Sequence, residues 1–115
     1  MENKDKLTPV SVAQHMQKII RLLAEEGQKS EDLIINKAET TRKYRLARAK
    51  AEVELKVKGI AVTLIKHRAE GDAAKEEADM IVGTEALKAH WFRMDNLKAQ
   101  LNGYQSINRF LAETS

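Results

Sequence analysis

Apolar residues recur three and four apart along most of this chain. Val12, Met16, Ile19 and Leu23 step by 4, 3 and 4. Ile20 and Leu22 widen that stripe. Tyr44, Ala47, Ala51 and Leu55 step by 3, 4 and 4, with Leu46, Ala49, Val53 and Val57 on a neighbouring face. Leu87, Trp91, Met94, Leu97, Leu101, Tyr104, Asn108 and Leu111 step by 4, 3, 3, 4, 3, 4 and 3, after Ala74, Ala78 and Ile81. This is the spacing of one buried helix face, close to a heptad in the last run.

Helix signals frame the pattern. The single proline, Pro9, follows Thr8. Proline fits the first helical turn and threonine is a good N-cap, so a helix is expected to start there. A long helix is predicted over 8–58, with Gly27 as the place for a kink, since one glycine costs about 1 kcal/mol in a helix. Ser30, followed by Glu31 and Asp32, is the alternative start of a new helix. Lys56 and Lys58 suit a helix C-terminus, and Gly59 is the candidate cap. Residues 59–71 (GIAVTLIKHRAEG) are too apolar for a solvated loop. A short helix over about 62–69 is expected there. A β-strand is the competing reading of this β-branched run, but a lone strand has nothing to pair with. Asp72 is the expected N-cap of a second long helix over 72–112, with Glu76, Glu77 and Asp79 in its early turns. Residues 1–7 are expected to be flexible.

The predicted fold is all-α: an elongated antiparallel helical hairpin, coiled-coil-like, forming one domain over 1–115. Two long helices with a short connection must run antiparallel. Counting back from the tip sets the acidic residues 72–79 against the basic 50–58, and Leu97–Leu111 against Val12–Leu33. Aromatics are only 4% of the 115 residues and charged residues are 32%. One such hairpin buries a thin core, so a homo-oligomer is expected. No apolar run approaches a membrane-spanning length and the first residues are polar, so a cytoplasmic protein without a membrane partner is expected. The absence of cysteine removes disulfides and thiolate metal sites.

Net charge is +3, unevenly spread. Residues 37–68 hold ten Lys/Arg and three Asp/Glu, net +7, between flanks of net −1 and −3. Arg42, Lys43, Arg45, Arg48 and Lys50 crowd about two and a half helical turns. Pairing with the acidic start of the last helix is the expected role. Contact with nucleic-acid phosphates or with an acidic partner is the alternative. His90-Trp91-Phe92 sets three bulky residues in a row. Trp91 fits the seam there and Phe92 points to another helix or chain. Trp91, Phe92, Met94, Leu97, Leu101, Tyr104 and Leu111 are the candidate oligomer or partner interface, since tryptophan is favoured at binding hot spots.

Catalytic patterns are missing. His15, His67 and His90 lack metal-ligand spacing. There is no GxSxG, GxxxxGK or GxGxxG. Glu25-Glu26 and Glu76-Glu77 are adjacent, so each pair diverges around a helix. No enzyme activity, cofactor, metal or catalytic residue is expected.

Several segments resemble small helical accessory proteins of temperate bacteriophages. They are AKAEVELK (49–56), AVTLIK (61–66), EGD (70–72), LKAQLN (97–102) and QSIN (105–108). The resemblance implies a phage accessory protein from a replication or recombination region, and carries no catalytic residues.

The seam yields a direct expectation. Leu97→Asp or Leu101→Asp sets a charge into an apolar stripe, which destabilises strongly. Each variant should unfold or dissociate the protein, read by melting temperature and by size.

Overall fold

The computed structural model describes residues 6–114, and every regular element among them is a helix. α1 spans Pro9–Gly27, α2 Ser30–Val57, α3 Val62–Asp72 and α4 Ala74–Thr114. Of the stretch expected to be flexible, residues 1–5 lie outside the described residues. The chain divides into two compact units. One joins the residues up to Lys29 with those from His90 onward, and the other is Ser30–Ala89.

In the first unit, α1 opens with a capping box. The Thr8 Oγ1 accepts from the Ser11 N–H at 3.1 Å, and the Thr8 N–H donates to the Ser11 Oγ at 2.9 Å. Two of the otherwise unpaired N–H groups of the first turn are satisfied this way. Val12 and Ile19 are buried, and Met16 and Leu23 are half-buried, so the predicted stripe is the face that α1 turns inward. The His15 ring stacks on Tyr104, with centroids 5.0 Å apart, and Glu26 reaches His90 and Arg93. Partners fall in number along α4 as they rise along α1, so these two segments run antiparallel.

In the second unit, α2 ends in a Schellman turn. Gly59 has φ +78, the Ile60 N–H donates to the Leu55 carbonyl at 3.1 Å, and the Gly59 N–H donates to Lys56 at 3.0 Å. A left-handed residue here satisfies the last carbonyls of the helix, and glycine adopts it without steric cost. The turn sends α3 back along α2. Ala51, Leu55, Ile65 and Ala69 form one buried cluster, with Ile60 packed against it. The small alanines allow the close approach. Gly83 of α4 also meets α2: a Cβ there would stand 3.0 Å from Thr40 Oγ1 and 3.2 Å from Asn36 Nδ2.

Several expectations change at this level. The helix expected over 8–58 is interrupted at Gln28–Lys29, just past Gly27. The break is a tightened turn, because Gln28 stays right-handed and the Lys29 N–H donates to the Glu26 carbonyl at 3.0 Å. The run after Gly59 is a helix, as preferred over a strand, and it continues through Gly71 to Asp72. Asp72 is therefore no N-cap. Ala73 (φ −100, ψ 16) marks the break, helical hydrogen bonds enter and leave it, and α4 begins at Ala74.

The α4 seam also starts in a different phase. Ala73, Gly83, Leu87 and His90 are buried and Met80 is half-buried, whereas Ala74, Ala78, Ile81 and Trp91 are exposed. From Met94 to Tyr104 the predicted stripe is the inward one, and Leu111 remains on it. Asn108 is exposed beside half-buried Ile107.

The Schellman turn gives a test. Gly59→Ala forces a Cβ into a left-handed conformation, at about 1–2 kcal/mol. The variant should melt at a lower temperature while keeping its helical circular dichroism spectrum.

Candidate functional site

Two constellations stand out, one in each unit. The first is a groove on α2, about 610 Å³ in volume, lined by Ile34, Ala38, Leu46 and Leu87 with Lys37, Arg42 and Arg45 among them. Its floor is apolar and its charged residues are all cationic. Ile34 and Leu46 are exposed, and Leu87 of α4, which closes the groove, is buried.

The five basic residues of 42–50 do not share one face. Successive residues turn by about 100° on a helix, which spreads them around it. Arg42 and Arg45 line the groove. Lys43 and Lys50 are exposed on another side. Arg48 is half-buried and engaged: its Nη1 donates to Tyr44 Oη at 3.3 Å, and it pairs with Glu70 at 3.4 Å and Glu52 at 3.5 Å. Arg42 pairs with Glu39 one turn back, and this guanidinium holds the Glu39 carboxyl below its usual range.

Among the described residues, no ion pair links this segment to Glu76, Glu77 or Asp79, and Asp79 pairs with Lys75 instead. The reason is geometric. The connection after α2 is short, so α3 covers the last turns of α2 where the start of α4 was expected.

The second constellation is a polar pair inside the first unit. His90 is fully buried. Its Nδ1 lies 3.0 Å from Glu26 Oε2. Lys29 Nζ and Arg93 Nε reach Glu26 Oε1 at 3.2 and 3.4 Å. An ionised carboxylate only accepts, so Nδ1 of His90 carries the proton and donates. The His90 hydrogen bond first, then Lys29, hold the Glu26 carboxyl down at about 2, with Arg93 adding to the effect. Beside the pair lies a cleft of about 320 Å³ whose walls include Leu22, Lys29, Arg93 and Leu97.

Sequence reasoning missed this pair. It set Trp91 in the seam, where the structure buries His90, and dismissed Glu25-Glu26 as divergent. The available signal was spacing: Glu26 continues the 4, 3, 4 steps of α1 after Leu23, and His90 stands three residues after Leu87.

The candidate interface residues of α4 also separate. Met94, Leu97, Leu101, Tyr104 and Leu111 are half-buried on the inward face, whereas Trp91 and Phe92 are exposed. Among the described residues, no three His, Asp or Glu cluster in a way that would hold a metal ion, and no helix is long and apolar enough to cross a membrane. No protein-family model, curated protein or solved structure matches the chain.

The Glu26 pair predicts a pH dependence. A carboxyl depressed in the folded state adds stability that is fully present above its unfolded value, near 4.5, and is lost as pH falls toward about 2. Glu26→Gln removes that contribution. Wild type should melt above the variant at neutral pH, and the gap should close between pH 4.5 and about 2 in parallel thermal melts.

Proposed function

We propose that this chain is a non-enzymatic accessory protein that binds and modulates another protein. In this reading the helices pair as an antiparallel hairpin, the protein acts as a homo-oligomer in the cytoplasm, and the groove on α2 receives the partner. The α2 groove carries the proposal. An apolar floor with only cationic side chains around it suits an acidic amphipathic helix, whose apolar face fills the groove while its carboxylates meet Lys37, Arg42 and Arg45. The segment resemblances support a phage-type setting, with a partner in replication, recombination or host defence.

A second reading, a nucleic-acid accessory factor, draws on Lys43, Arg45 and Lys50. These are exposed and make no ion pair among the described residues. Their spread around α2 and the engagement of Arg48 weigh against a continuous phosphate track, and no aromatic platform stands among them beyond half-buried Tyr44.

The two readings separate in one titration. An acidic amphipathic peptide should shift the amide resonances of Ile34, Ala38 and Leu46. Arg42→Glu with Arg45→Glu should weaken that binding by at least tenfold. DNA and RNA oligonucleotides should bind only at low salt. Tight nucleic-acid binding that falls steeply with salt, with no peptide response, would favour the second reading.

A further inference from the structure

The outward face of α4 opposes its buried seam. Phe92 and Phe110 stand on it 68% and 63% exposed, five turns apart at about 3.6 residues per turn. Between them on the same face lie Ala99 and Gly103, both exposed. Gly103 is unexplained by the fold: a Cβ there would meet nothing within 4 Å. Gly83 contrasts with it, because neighbouring side chains of α2 crowd it. A glycine inside a helix costs about 1 kcal/mol relative to alanine; Gly27 and Gly71 are equally open but stand at helix ends, whereas Gly103 lies inside α4. Asp95 and Arg109 share one flank of the face, four turns apart. Neither makes an ion pair among the described residues.

We propose that this face of α4 binds the same face of a second copy, antiparallel, about a two-fold axis near residues 101–102. This rests on the oligomeric part of the reading above and names its interface. The arrangement is self-complementary, as a two-fold interface requires. With the axis there, Phe92 of one copy lies opposite Phe110 of the other. Ala99 lies opposite Gly103, where the backbones approach most closely. A two-fold axis keeps each flank beside its own kind, so Asp95 meets Arg109 of the second copy, and the pair occurs twice. A parallel pairing sets each flank beside the opposite one and keeps Asp95 and Arg109 at different levels, so neither meets its counter-charge. Charge thus selects both the occupant and its direction. Trp91 borders the same flank, so burial of this single tryptophan reports the association.

Light scattering over a concentration series, with Trp91 fluorescence, tests the interface. Wild type should reach twice the 13.0 kDa chain mass. Phe92→Lys should remain at the single-chain mass with unchanged helical circular dichroism, because the side chain it replaces is exposed. Asp95→Arg or Arg109→Asp alone should weaken the dimer at least tenfold, and the two together should restore it. The natural chain has no cysteine, so register is read from a mixture of Asn96→Cys and Ser106→Cys proteins. The expected product is the mixed disulfide. Predominant 96–96 and 106–106 products overturn the antiparallel register. A wild type that stays monomeric throughout overturns this proposal and the oligomeric reading together. An oligomer indifferent to Phe92→Lys and to both charge reversals overturns this interface and leaves the oligomeric reading standing.

Discussion

Each helix of this chain has only one narrow stripe that it can bury, and the rest of the structure follows from that limit. A helix turns about 100° per residue, so residues three and four apart line one face. On α1 that stripe is Val12, Met16, Ile19 and Leu23, and on α2 it is Tyr44, Ala47, Ala51 and Leu55. With so few aromatics, the stripes carry small residues, and burial depends on close helix approach. Ala51 and Ala69 in one cluster, and Gly83 against Thr40, show this economy of volume. Dispersion contacts are weak singly and need such proximity to add up.

The same limit explains how a polar pair entered the seam. His90 takes a seam position on α4, and Glu26 a corresponding one on α1. A buried imidazole without a partner would be costly, and the carboxylate of Glu26 removes that cost. Lys29 and Arg93 then satisfy the other oxygen of the carboxylate. Such a pair resembles the polar seam residues that fix register in coiled coils, since only one alignment of α1 and α4 brings it together.

Legibility in the sequence followed chemistry. Where seam residues are apolar, as at Val12–Leu23, Tyr44–Leu55 and Met94–Tyr104, period alone identified the buried face. Where the seam turns polar or very small, hydrophobicity misled. Trp91 drew the seam towards itself, although His90 and Gly83 occupy it. The partner of His90 lies 64 positions away, and no local pattern announces a contact at that range. The junctions were readable only in part. Gly59 marked its turn because a left-handed residue is needed there. Gly71 and Asp72 misled because helical hydrogen bonds run on past them to Ala73. The basic segment was visible as composition, but its division between the groove and the Arg48 contacts depended on where α3 docks.

The short connection at the end of α2 bears on the order of folding. The Gly59 turn brings Leu55 and Ile65 together after closing a loop of only a few residues. Loop-closure entropy grows with the length closed, so this contact costs the chain little to form. Contacts between α1 and the end of α4, such as His15 with Tyr104, span most of the sequence and carry a larger entropic cost. Local contacts of the first kind form early in helical proteins. The turn at Gly59 is thus the natural nucleus of the second unit, and α1 completes its pairing only after the distant end of α4 is available.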